Sequence, residues 1–170
     1  MTKGLARSIS RGPALSAQPQ RKRISLTDAA MTVDGVTGVG WGTVVIGDFP
    51  EGNVLILGAV ASLSFTGPTS ASLGDTWNGD YGIGSTPASD ATISGADVDI
   101  IPSTAVGPAV AEASPTTRGA LAAPVTLDNT DGSLEINLSL LVDDADISAD
   151  GLAFTVNGSV EIVYVMLGDD

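Results

Sequence analysis

Between Ser133 and Leu167 the apolar side chains fall on even numbers, and this alternation restricts the possible folds more than any other feature of the chain. Leu134, Ile136, Leu138, Leu140 and Val142 alternate with Ser133, Glu135, Asn137 and Ser139. A period of two sets one face of a strand on a core and the other in water. After an acidic turn, Leu152, Phe154, Val156, Val160, Ile162, Tyr164 and Met166 resume the same parity, with Thr155, Asn157, Ser159 and Glu161 between them. The pattern predicts a long β-hairpin with one apolar face. Asn157-Gly158 would suit a two-residue turn, but that turn pairs Phe154 with Glu161 and so sets a charge opposite a core aromatic. Two arrangements keep the faces consistent: a three-residue loop from Asn157 to Ser159, or one strand running through Gly158 with a kink or bulge. The continuous strand is preferred.

The preceding chain is less periodic. Thr32 to Val39 is interrupted by glycine, and Thr43 to Ile46 is a β-branched strand candidate. Gly47 to Asn53 holds every kind of turn residue. Val54 to Phe65 is apolar on both parities through Ala61, which predicts a central strand covered on both faces and joined to its predecessor as a second hairpin. Gly67 to Ala123 is rich in Gly, Pro, Ser, Thr and Asp, with Trp77 and Tyr81 as its large aromatics. Short strands fit Ala91 to Ser94, Val98 to Ile101 and Val106 to Val110, the rest reading as long ordered loops. Leu121 to Leu127 leads to a turn at Asp128 to Gly132. Strands of this number and spacing, without a helical period, predict an all-β chain: an antiparallel β-sandwich of jelly-roll type with an extended N-terminal arm.

The arm follows from charge. Lys3, Arg7, Arg11, Arg21, Lys22 and Arg23 are six of the seven basic residues, and all 20 acidic residues lie from Asp28 onward. With Arg118 as its one cation, the chain beyond Arg23 carries −19 against +6 for the leading segment, a net −13. The expected division is a basic extended arm over residues 1–26 and a sandwich body over 27–170. Gly12, Pro13, Pro19 and scattered Ser and Gln make the arm a disordered tail when considered alone. No apolar core follows its cations, so it is not a secretory signal, although its Arg, Ser and Ala content also fits an organelle transit peptide.

Several functions lose their chemistry at this level. There is no cysteine, so disulfides, thiolate metal sites and thiol catalysis are excluded, and no histidine to act as general base or zinc ligand. Ser and Thr abound without an evident base to activate one. Asp143, Asp144, Asp146, Ser148 and Asp150 could present oxygens to calcium but lack the glycine and terminal glutamate of an EF-hand loop, and the ordinary reading is a solvated acidic turn. Adjacent aspartates in a turn do not flank a sugar as a glycosidase pair does. Gly82-Ile83-Gly84 is too short for a phosphate loop and reads as a turn. Trp77 and Tyr81 could stack on a sugar or a partner, or pin their loop to its own domain. A −19 body repels phosphate, which argues against nucleic acid, and no apolar run is long enough for a transmembrane helix, which predicts a soluble protein without a membrane partner. No metal or cofactor is expected.

The segments GDFPEGNVLILGAVASLSF (Gly47 to Phe65), TWNGDYGIG (Thr76 to Gly84), SGADVDIIPSTA (Ser94 to Ala105), NTDGSLEINLSLLVDDADIS (Asn129 to Ser148) and VYVMLGDD (Val163 to Asp170) resemble a family of small structural proteins of tailed bacteriophages, of the capsid decoration or cement type. The resemblance covers most of the body and not the arm. It implies a jelly-roll or related sandwich without enzymatic activity, bound to the major capsid protein on the exterior of the virion. A symmetric homo-oligomer is expected, since the local symmetry of a shell favours matching symmetry in its additions. In this reading Lys3, Arg7, Arg11, Arg21, Lys22 and Arg23 anchor the protein to the capsid, and Trp77 and Tyr81 offer further loop contacts. The alternative is a carbohydrate- or receptor-binding sandwich displayed on the virion through those two aromatics.

Overall fold

The computed structural model describes residues 18–36, 38–69, 73–74, 76–147 and 151–168. Among the described residues nine strands run in chain order: β1 Gln20–Val36, β2 Val39–Asp48, β3 Asn53–Thr66, β4 Asn78–Gly84, β5 Ile101–Val106, β6 Thr117–Ala120, β7 Val125–Leu127, β8 Glu135–Asp143 and β9 Leu152–Gly168. One 3-10 turn, Gly95–Val98, precedes β5. Every strand pairing is antiparallel. In the first sheet β9 lies between β1 and β3, and β6 and β7 pair successive stretches of β3 on its other side. In the second, the order is β2, β8, β4, β5. Strand β1 joins them along one side, because Gln20 to Val33 pair with β9 while Asp34 to Val36 pair with β2. On the other side β5 and β6 come so close that a Cβ on Gly119 would lie 2.7 Å from Ile101 and from the Tyr81 hydroxyl. The result is an almost closed antiparallel β-sandwich of jelly-roll kind.

The core lies between the sheets and uses the alternating residues as expected. Ile136, Leu138, Leu140 and Val142 from β8, with Phe154, Val156, Val160 and Ile162 from β9, are fully enclosed. Strands β8 and β9 nevertheless do not form the predicted hairpin: β8 pairs with β2 and β4, and β9 with β1 and β3. They face each other across the sandwich. The turn between β2 and β3, predicted to close a second hairpin, is likewise a crossing from one sheet to the other. Parity reports which face of a strand is buried, and a hairpin and a crossover leave it the same. The preferred continuous β9 is observed, running straight through Gly158 at φ 137°, where a Cβ would meet the Ser62 carbonyl oxygen at 2.0 Å.

Two bulges hide the alternation elsewhere. In β1, Leu26 is opposite Gly158 and Ala29 opposite Val156, so two residues face the single Asn157. Asp28 takes φ 46° there; its amide donates to Asn157 Oδ1 (2.9 Å), and Asn157 Nδ2 donates to Asp28 Oδ1 (3.0 Å). The inward set therefore passes from Ile24 and Leu26 to Ala29, Met31 and Val33. In β3 the register slips between Ile56 and Gly58, and the inward set changes from Val54 and Ile56 to Ala59, Ala61, Leu63 and Phe65. The run that is apolar on both parities is thus a strand whose faces exchange at a bulge, not one covered on both faces. It is central in its sheet, yet Leu57 and Val60 remain 41% and 44% exposed.

The sheet also begins earlier than the expected arm boundary at residue 26. Arg21, Lys22 and Arg23 are opposite Val163, Ile162 and Glu161 within β1, because their segment supplies the hydrogen-bonding neighbour for β9 and buries Ile24. Lys3, Arg7 and Arg11 lie outside the described residues. Further along, residues 91–94 form no strand, Val98 ends the 3-10 turn, and β5 stops at Val106. TWNGDYGIG, read as loop and turn, contains β4. Its alternation is concealed because backbone crowds Gly79 and Gly84, where a Cβ would be 2.0 Å from Leu141 O and 2.1 Å from Ala96 O.

Candidate interaction face

The two outer faces of the sandwich differ in kind. On the second sheet, Thr43 of β2 and Ser139 of β8 point outward beneath the protein's own segment from Ser85 to Asp99, while Val45 of β2 stays 49% exposed. The Ala88 amide donates to Thr43 Oγ1 (3.1 Å) and Ser139 Oγ (3.3 Å), and Asn137 and Ser139 are buried. The segment is clasped at its ends, where the Ser85 amide and hydroxyl donate to the Asp99 carboxylate at 2.9 and 2.6 Å. Desolvation at this position raises the Asp99 pKa, against the lowering effect of the Ser85 hydrogen bonds.

Across the first sheet the register sets outward residues in rows, since directly paired residues share a face. Arg21, Val163 and Gly58 form one row, and Arg23, Glu161, Val60 and Ala120 the next. A third holds Ser25, Ser159, Ser62 and Arg118. At a strand spacing of about 4.8 Å these rows make one continuous surface. It contains a depression of about 520 Å³ lined by Gly58, Val60, Ala120, Leu121 and Val163 together with Arg21 and Glu161. The Arg21 guanidinium hydrogen-bonds the Glu161 carboxylate at its margin.

Of the six cations expected to anchor the protein, Arg21 and Arg23 are therefore on this face. Lys22 is not, since alternation turns it the other way; its Nζ lies 3.1 Å from Asp48 Oδ1 and also donates to the Asp48 carbonyl. The Lys22 ammonium lowers the Asp48 pKa from its ordinary value. Arg118 was missed as a site residue. The available signal was its isolation, one cation on an otherwise acidic body, and its position on the same face as Arg23, across β9 and β3, depends on β6 pairing with a strand more than fifty residues earlier.

Trp77 and Tyr81 are not available to a partner. Trp77 is 1% exposed, meets Phe154 edge-on at a centroid distance of 5.4 Å, and donates from Nε1 to the Glu112 carbonyl (3.1 Å). Tyr81 is fully buried with its ring 5.6 Å from Phe65. Its hydroxyl is enclosed beside Gly119 and Thr104 without a well-formed hydrogen bond, and burial pushes the phenol up to about 12. Both aromatics are core residues of β4 and its approach, which is the pinning role. In the acidic turn, Asp144 accepts from the amides of Gly74 (3.2 Å) and Asp146 (2.8 Å), binding the turn to the chain before β4. Ser148 and Asp150 lie outside the described residues.

No protein-family model matches the chain, and no curated protein matches it. Among solved structures, a chain from a structure of the infectious bursal disease virus Gx strain aligns over 89% of this chain and 33% of its own length, at 12% identity and a TM-score of 0.41. A chain from the crystal structure of the infectious bursal disease virus VP2 subviral particle aligns over 96% of this chain and 46% of its own length, at 14% identity and a TM-score of 0.24. This chain thus spans less than half of either, and likeness at these TM-scores decides neither fold nor role.

Proposed function

We propose that this is a non-enzymatic virion structural protein of the capsid decoration type, which attaches to the exterior of a shell of major capsid protein and stabilises it. The observation that carries the reading is the unequal treatment of the two outer faces. One is crossed by the protein's own chain over Thr43 and Ser139, which leaves Val45 at its edge 49% exposed but places no basic residue there among those described, while the other gathers Arg21, Arg23 and Arg118 around exposed Leu57 and Val60 on a protein of net charge −13. Single exposed apolar residues are ordinary on any surface, but grouped with cations against the prevailing charge they suit a docking face. The remaining basic residues of the leading segment, Lys3, Arg7 and Arg11, precede β1 on the chain and carry the same sign of charge. The first sheet thus supplies the base of the contact, with Arg21 and Arg23 of the expected arm built into β1. A shell presents many identical sites, so bound copies adopt its local symmetry. With Trp77 and Tyr81 in the core, no observation favours the glycan-binding alternative.

Co-sedimentation with purified shells tests the proposal. Binding is expected to saturate, to weaken as salt rises from 50 to 500 mM, and to fall at least tenfold in an Arg23→Glu/Arg118→Glu double variant. Wild-type protein that ignores the shells, or a double variant that binds them equally well, overturns it.

A further inference from the structure

The depression in the first sheet is open without structural need. Gly79, Gly84 and Gly158 are glycines because neighbouring backbone occupies the space of a Cβ, whereas a Cβ at Gly58 would meet nothing within 4 Å. Nor does Gly58 have the positive φ that favours glycine elsewhere in the chain. Neither packing nor backbone conformation therefore requires the missing side chain. Its absence leaves a socket of about 520 Å³, within the range that accommodates small organic groups.

We infer that this socket receives an aliphatic side chain from an acidic segment of the shell protein, whose carboxylates pair with Arg23 and Arg118. The inference rests on the capsid-binding reading above and names the chemistry of its partner. Six of the residues that line it are apolar or glycine, among them Gly58, Val60, Ala120, Leu121 and Val163, and the other two are Arg21 and Glu161. Arg21 at the margin is already engaged by Glu161. An apolar group is thus what the socket can hold, while the exposed guanidiniums beside it attract carboxylates and suit their planar geometry. Charge also argues against a second copy of this protein packed through the same face. A two-fold pairing would set six arginines together with only two glutamates, and like charges brought together at an interface are unfavourable.

The test uses the full chain labelled with ¹⁵N and an acetylated, amidated peptide, Asp-Glu-Leu-Glu-Asp, with Ser-for-Leu and Lys-for-acid peptides as controls. Saturable amide shifts are expected at Gly58, Val60, Ala120 and Val163 with the first peptide only. Gly58→Val closes the socket while pointing into open space, so its melting temperature should match wild type and its affinity for both peptide and purified shells should fall at least tenfold. Equal responses to the three peptides, or unaltered shell binding by Gly58→Val, overturn the inference. If Gly58→Val keeps shell binding while the Arg23→Glu/Arg118→Glu variant loses it, the socket is refuted and the docking face stands. Self-association of the wild type in sedimentation, abolished by Gly58→Val, would make the occupant a second copy and likewise overturn the acidic shell segment.

Discussion

At the scale of single residues, glycine carries opposite meanings in neighbouring strands. Gly158 on β9 takes φ 137° and a Cβ there would be 2.0 Å from a backbone oxygen, whereas Gly58 on the paired strand is open. Gly158→Ala is expected to cost at least about 2 kcal/mol, a steric and conformational penalty combined, and Gly58→Ala to stay within about 0.5 kcal/mol of wild type. Urea unfolding of the pair measures both, and equal losses would refute the distinction. Asp99 provides a pH-dependent counterpart. Its pKa is raised in the folded protein above the ordinary 3.8 by desolvation, so its favourable contribution is full below that value and is lost as pH rises through the folded pKa. Asp99→Asn keeps an acceptor for the Ser85 amide and removes the ionisation. Melting temperatures from pH 3 to 7 should show the variant gaining on wild type as pH rises; a constant offset would mean that Asp99 does not titrate in this way. Asp128 and Asp131 act in the opposite sense, since hydrogen bonds from Thr130 and Ser133 lower their pKa values and the benefit is lost on acidification.

At the scale of strands, what the sequence makes legible is the face, and what it withholds is the neighbour. The even parity of β8 and β9 identifies their buried side chains, but hydrogen-bonding partners depend on which turns stay within a sheet, and that is settled by contacts far apart in the chain. Bulges remove even the face. Ile24 and Leu26 are out of phase with Met31 and Val33 in the sequence, and only the pair Asp28 and Asn157 restores them to one surface. The candidate site divides in the same way. Arg21 and Arg23 are legible as neighbours in a basic cluster, whereas Arg118 joins them only through the register of β3 with β6, and Trp77 and Tyr81 looked available because glycines conceal the strand that buries them. Asn157→Ala removes both hydrogen bonds that fix the β1 bulge and should cost about 1–2 kcal/mol. Faster amide exchange confined to Thr27, Asp28 and Ala29 is the expected signature. Unchanged exchange there would mean that the bulge is held by the surrounding register alone.

For the whole molecule, the decisive connection is β1, which pairs with the last strand over most of its length and then with β2 in the other sheet. Neither sheet can separate without breaking a strand that belongs to both. Side chains reinforce this: Phe154 of the first sheet lies against Trp77 at the approach to β4 of the second, and Phe49, at the crossing between the sheets, meets Tyr164 of β9 at 6.0 Å. A sandwich tied at one side by backbone and through its middle by aromatic contacts should unfold as one unit. Far-ultraviolet circular dichroism and tryptophan fluorescence, the latter reporting Trp41 in the second sheet and Trp77 at the interface, are therefore expected to give coincident transitions. Phe154→Ala opens a cavity at the contact between sheets and should cost about 3–5 kcal/mol, moving both transitions together, while the outward Thr155→Ala on the same strand stays within about 0.5 kcal/mol. If Phe154→Ala instead separates the two probes, the sheets are held by that contact alone and the shared strand does not make them one cooperative body.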